Sequence, residues 1–264
     1  MILQSMTPEE KVKQMEVMRP SIVEIAMQWV NRNSNLLRRT KVFPTMYTFD
    51  RNIPGMGMWT IIATVENKTN IKKGVFTVSA YQKFHVPYSK NKDNIGTGVY
   101  LFDANDEGGV FCLEFSPHCF LRFRQRLIDR KRIVQPSFPQ LVKRVIMEYR
   151  TGMDTTLKGY KTIQEIDGKV RIIKTDDYDR YEGYDNLVSY TKNGLLLGMA
   201  ADNRRYFCYT SFVSNEDLFE DQRREQLQML KEREDYDFRS RNNPFDVFGV
   251  KRSLKLSDGT FLPI

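Results

Sequence analysis

His118, Arg122 and Arg126, with Gln125 beside them, are the side chains of this sequence whose types and spacing best suit chemistry. They lie in Ser116-Pro117-His118-Cys119-Phe120-Leu121-Arg122-Phe123-Arg124-Gln125-Arg126, which opens with a helix-capping serine and a proline at the first helical position. At about 100° per residue, an α-helix brings His118, Arg122 and Arg126 within about 80° of one another and turns Phe120, Phe123 and Leu127 the other way. Such a face suits a phosphodiester. A guanidinium fork matches two phosphate oxygens, and an imidazole exchanges a proton near neutral pH. The plainer reading is a solvated basic face with His118 in the first helical turn, and short motifs more often mean that. Two facts favour chemistry: the chain has only 2 histidines, and this one opens its most basic stretch.

The distribution of charge supports the same segment. The 264 residues include 41 Lys+Arg and 33 Asp+Glu, a formal net charge of +8. Between His118 and Arg150 the basic residues are Arg122, Arg124, Arg126, Arg130, Lys131, Arg132, Lys143, Arg144 and Arg150, against Asp129 and Glu148 alone. Basic character concentrated in this way points to a polyanion. Arg124, Arg130, Lys131, Arg132, Lys143 and Arg144 are therefore expected to bind nucleic acid, RNA ahead of DNA. A competing expectation is pairing with an acidic partner, either another protein or the acidic-leaning segment Glu216 to Arg241 of the same chain.

The elements that position these residues read as an α+β fold. Thr7-Pro8-Glu9-Glu10 is a helix start with a capping box, followed by an apolar stripe of Met15, Met18, Ile22, Ile25, Ala26 and Trp29. Pro20 is expected to kink or split this N-terminal helix. Five strands follow in an antiparallel meander: Val42 to Phe49, Trp59 to Val65, Gly74 to His85, Gly98 to Phe102 and Val110 to Phe115. A central helix pair spans about Pro117 to Asp129 and Phe138 to Thr151, with a break at Pro136 and an end at Gly152. Further antiparallel strands are expected at Leu157 to Gln164, Lys169 to Lys174, Leu187 to Thr191, Leu195 to Ala200 and Arg204 to Phe212. Asn193-Gly194 is a strong hairpin turn and Asp202-Asn203 a weaker one. A surface helix begins at Glu216. This order suggests a helix-plus-meander region over 1–110, a helix-then-sheet region over 111–215, and a surface helix with a partly ordered tail over 216–264, with packing of all three as a single domain left open.

Several classes are disfavoured. The most apolar stretch, Pro20 to Val30, contains Glu24 and Gln28, so a membrane partner is not expected. Three cysteines without paired spacing suit free thiols, and the absence of a leader-like N-terminus adds to a cytoplasmic expectation. Cys119 would point about 100° from His118 on a helix, so these two and Cys112 make a poor zinc site. Asp176-Asp177-Tyr178-Asp179 lacks the spacing of a calcium loop and reads as a solvated acidic turn. No Walker A, GxGxxG, GxSxG or HExxH sequence is present. Neither a metal nor a cofactor is expected.

The run from a strand into Ser116-Pro117-His118, an aromatic and arginines at four-residue spacing resembles small toxin domains of the RelE/BrnT type, a group of metal-independent ribonucleases. The likeness extends through a helix ending at Gly152 to a last strand carrying Tyr206, Tyr209 and Thr210, and so covers about 112–212. It implies a helix-then-antiparallel-sheet layout and RNA cleavage by attack of the ribose 2′-hydroxyl on the adjacent phosphate. In that scheme His118 is the general acid or base, Arg122 and Arg126 stabilise the phosphorane, and Tyr209 or Thr210 orients the phosphate. A second proton-transfer group is lacking unless the fold brings His85 near, and His85 reads better as a structural strand-end residue. The long β-rich N-terminal region and the acidic-leaning insertion Asp154 to Asp185 depart from the toxin pattern. Two other classes stay open: a nucleic-acid binder without catalysis, and an interaction or structural protein of a mobile element.

Overall fold

The computed structural model describes residues 1–73, 76–87, 95–104, 110–131, 134–157, 160–164, 167–174, 184–201, 205–242, 253–255 and 261–263. The architecture is mixed α+β, built on one nine-stranded sheet. Helix α1 (Pro8–Arg32) and the short α2 (Ser34–Arg38) precede strands β1 (Thr45–Ile53) and β2 (Gly57–Val65). Helix α3 (Lys68–Lys73) then leads to β3 (Thr77–Pro87), β4 (Ile95–Ala104) and β5 (Val110–Phe115). Helix α4 (Pro117–Phe123) runs into a π-helical turn, Arg124–Asp129, and α5 (Phe138–Thr151) follows. The remainder comprises β6 (Met153–Leu157), β7 (Tyr160–Gln164), β8 (Val170–Lys174), β9 (Asp185–Thr191), β10 (Gly194–Ala201), β11 (Tyr206–Ser214), α6 (Glu220–Asn242), β12 (Ser253–Lys255) and β13 (Phe261–Pro263).

The spatial order of the main sheet is β1-β2-β3-β4-β5-β11-β10-β9-β6, with β7-β8 and β12-β13 as separate two-stranded pairs. Strands β1 to β5 form the expected antiparallel meander. The two strand-rich parts of the chain share this one sheet, because β5 pairs with β11 in parallel, Tyr206 opposite Cys112 and Tyr209 opposite Phe115. Side-chain alternation along each strand then feeds two faces. On one face, α4 and α5 supply Phe120, Phe123, Val142 and Ile146, which pack on Tyr81, Leu113, Phe115 and Phe212. On the other, Val12, Met15, Met18, Ile22 and Ala26 of α1 cover Trp59, Ile61, Tyr100 and Phe102. Leu218 and Met229 cover Val188, Leu195, Leu197 and Val213 farther along that second face. Each fully buried aliphatic contributes about 1.5–3 kcal/mol, so the apolar stripe of α1 is what holds that helix to the sheet.

Local chemistry explains the boundaries that match expectation. Thr7 and Glu10 close a capping box, with the Thr7 N–H donating to Glu10 Oε2 at 2.7 Å and the Glu10 N–H to Thr7 Oγ1 at 3.3 Å. Ser137 caps α5 with Gln140 in the same way, its N–H 2.9 Å from Gln140 Oε1.

Three expectations are corrected. Pro20 does not split α1, which runs unbroken from Pro8 to Arg32; Pro20 and Glu16 are exposed, so the carbonyl that loses its donor faces water. Strand β4 begins at Ile95 and not at Gly98, because β3 continues to Pro87 and pairs Val86 with Gly96 and Pro87 with Ile95; Gly98 itself lies beneath the Phe84 ring, where a Cβ would collide. Leu157 to Gln164 is two strands: β6 pairs with β9 in the main sheet and β7 with β8 outside it. The turn at Asp202-Asn203, the acidic run at Asp176 and the tail beyond α6, apart from its two short strands, lie outside the described residues.

Candidate nucleic-acid interface

The geometry around His118 begins where β5 ends. Ser116 leaves the strand with its N–H donating to the Tyr209 carbonyl at 3.0 Å and its hydroxyl to the Thr210 carbonyl at 3.2 Å. The same hydroxyl accepts from the Cys119 N–H at 3.1 Å and so caps α4. Cys119 and Phe120 are buried, whereas His118 is exposed one position earlier. Arg122 Nε donates to His118 Nε2 at 3.3 Å, and Arg122 Nη1 to Gln125 Oε1 at 3.2 Å. Partial burial, then the positive charges of Arg122 and Arg126, hold the His118 pKa below its ordinary value. The imidazole is therefore mostly neutral at pH 7 and accepts from a guanidinium.

Arg126 takes a different course. The helix widens into the π turn after Phe123, so the α-helical 100° step no longer applies from Arg124 onward. Arg126 Nη1 donates to the Phe212 carbonyl at 2.5 Å, and its Nε lies 3.5 Å from Asp217 Oδ2. Arg130 meets the other oxygen, Asp217 Oδ1, at 2.5 Å, while the Ser214 hydroxyl donates to Oδ2 at 2.9 Å. Arg124 lies 3.8 Å from Asp129. Asp217 comes from the segment whose acidic character raised self-pairing as an expectation, and it engages two of the basic side chains.

Tyr209 and Thr210 meet the start of α4 through their backbone carbonyls, both of which accept from Ser116. Tyr209 is fully buried against Phe115, ring centroids 5.1 Å apart, and its hydroxyl donates to Asp154 Oδ1 at 3.1 Å. Burial, then the charge of Asp154, pushes the Tyr209 phenol well above its ordinary range. Thr210 sits where the β10–β11 register shifts, and its hydroxyl donates to the Leu197 carbonyl at 3.3 Å. His85 is on β3, exposed, with Nδ1 3.1 Å from Thr97 Oγ1.

The other cations gather at a groove. A cavity of about 570 Å³ is lined by Lys131, Lys143 and Arg144, by the apolar side chains of Met46, Leu127 and Met147, and by Glu148 and Asn193. It lies between the π turn and α5. Lys143 Nζ donates to the Met46 carbonyl at 3.0 Å, and burial lowers its pKa. Glu148 accepts from the Asn193 backbone N–H at 3.3 Å and from the Asn193 side-chain amide. Lys131 and Arg144 are exposed and make no ion pair among the described residues. Arg132 lies outside the described residues. Arg150, at the end of α5, donates to Thr64 Oγ1 at 3.0 Å and Ser79 Oγ at 3.3 Å.

Sequence reading passed over one polar cluster on the opposite face. Lys11 Nζ lies 2.9 Å from Glu114 Oε2, which also accepts from the Tyr206 hydroxyl at 2.5 Å, and the ammonium sits 4.8 Å from the Tyr100 ring centroid. Burial, then Glu114, raises the pKa of the adjacent Cys208 thiol to about 12, so it is a poor nucleophile. The available signals were a lysine next to an apolar helical stripe and a glutamate in the strand Val110-Phe111-Cys112-Leu113-Glu114-Phe115. Among the described residues no group of three or more His, Cys, Asp or Glu side chains is arranged to hold a metal ion, and no helix is long and apolar enough to cross a membrane.

Comparison with models of protein families, with curated proteins and with solved structures found no match.

Proposed function

We propose that the protein binds RNA through the groove between the π turn and α5, with Lys131, Lys143 and Arg144 on phosphates and the exposed His118 with the half-buried Arg122 as a further phosphate contact. The observation that carries this reading is the convergence of three cations on one concave surface whose carboxylate, Glu148, is engaged by Asn193. Phosphates recruited there release counterions, so binding is salt-dependent. Removing Lys131 and Arg144 together by Lys131→Ala and Arg144→Ala is expected to weaken binding of a fluorescently labelled RNA at least about tenfold. It is also expected to lower the slope of log affinity against log salt by about one per lost phosphate contact. An unchanged slope would overturn the assignment.

Cleavage is a second reading, favoured by the neutral, exposed imidazole 3.3 Å from the Arg122 guanidinium. Arg126 and Tyr209 are committed to Asp217 and Asp154, which leaves Arg122 as the guanidinium beside the imidazole. In that reading RNA is cut in EDTA by the wild type, and His118→Ala abolishes cutting while retaining affinity. Absence of cutting by the wild type leaves binding alone.

A further inference from the structure

We infer that the groove receives one unstacked base of a single-stranded RNA together with its flanking phosphates, and so selects single strands over duplexes. This rests on the proposed RNA binding at the same place and adds which form of RNA is taken.

Shape is the first ground. The cavity, about 570 Å³, falls within the roughly 300–1,000 Å³ of small-ligand sites and is concave. A duplex presents phosphates on a convex backbone with its bases stacked inside, so it can reach the cations at the rim but cannot fill the floor. A single strand can turn a base outward at little cost, and sequence-tolerant RNA sites hold such bases against apolar or planar side chains.

The chemistry of the lining gives the second ground. Met46, Leu127 and Met147 are half-buried and supply apolar walls; phosphates gain nothing from such a floor, whereas a base plane does. The exposed Arg144 guanidinium can lie flat on a base as well as pair with a phosphate. Orientation follows from Glu148. Its carboxylate, held by Asn193, repels a phosphate and accepts hydrogen bonds, so the base edge faces Glu148 while the phosphates lie toward Lys131, Lys143 and Arg144.

The test compares a labelled ten-nucleotide single-stranded RNA with the same strand in a blunt duplex, using the full chain. Met147→Trp fills the floor, and Met46→Trp fills it from the other side. The single strand is expected to bind about tenfold tighter than the duplex, and at least one filling variant that keeps the wild-type melting temperature is expected to remove that preference. Equal affinity for both forms, or a preference that survives in both folded filling variants, overturns the inference. If Lys131→Ala with Arg144→Ala still weakens binding, the RNA-binding reading stands without it. If neither RNA is retained at low salt, both fall.

Discussion

Lys11 of α1 and Lys143 of α5 belong to helices that cover opposite faces of the central sheet, and they end in opposite circumstances. Lys11 is 6 % exposed and meets the Glu114 carboxylate, with aromatic rings around its ammonium. Among the described residues Lys143 meets only a backbone carbonyl, and it faces a groove shared with Lys131 and Arg144. The contrast repeats within the basic segment itself: Arg126 and Arg130 share Asp217, whereas Lys131 and Arg144 stay open. Positive charge serves binding only where the fold does not deliver a carboxylate to it. A count of basic residues along the chain overstates the candidate interface for this reason.

The largest effect should come from opening the closed pair. Glu114→Ala leaves a buried ammonium without its counter-ion, and we expect a loss of about 3–5 kcal/mol in urea unfolding, with RNA affinity unchanged in the folded fraction. Recovery of much of that loss by the combination Lys11→Met with Glu114→Leu would mark the penalty as an unpaired charge. A loss below about 1 kcal/mol would break the comparison.

Asp217→Ala should move two readouts in opposite directions. It removes charged hydrogen bonds to Arg126, Arg130 and Ser214, costing about 2 kcal/mol, and leaves the charges of two guanidiniums without their shared carboxylate, which should strengthen RNA binding and steepen its salt dependence. Weaker binding in a folded Asp217→Ala protein would mean that the two arginines contribute only when held.

Tyr209→Phe should cost about 1 kcal/mol through its bond to Asp154 and leave RNA binding untouched, as expected of a core phenol. Loss of binding or cutting at wild-type stability would restore the phosphate-orienting role that the toxin resemblance implies for Tyr209.

The smallest effect is the pH response of His118. Its pKa is held below the ordinary 6.5, so the imidazole is neutral at pH 7 and gains its charge only as pH falls beneath that value. RNA affinity should therefore rise as pH falls below about 6.5, and His118→Ala should remove the rise. Stability runs the other way. The unfolded chain takes up this proton more readily than the fold, so below about 6.5 protonation of His118 works against folding.

Much of the fold is legible locally because its signals are local. The Thr7-Pro8-Glu9-Glu10 cap, the stripe from Met15 to Ala26, the strand Val110–Phe115 and the helix Phe138–Thr151 each follow from spacing and capping chemistry that a short segment carries by itself. His118 beside Arg122 is legible for the same reason, since a single α-helical turn relates them. Arg126 is not, because the π turn breaks the assumed period and a carboxylate 91 residues later claims the side chain. The strand start at Ile95 needed the end of β3, whose Val86 and Pro87 pair with Gly96 and Ile95.

The sequence alone determined the α+β class, the helix caps and the placing of positive charge between His118 and Arg150, because period, cap and charge density are properties of neighbouring residues. Tertiary structure decided the rest. It joined β5 to β11 in parallel, buried Tyr209, paired Lys11 with Glu114 and gave Arg126 and Arg130 to Asp217. It also left Lys131, Lys143 and Arg144 around one cavity. Whether a charge is closed or open depends on which distant group the fold carries to it, and that distance is set by packing across the sheet.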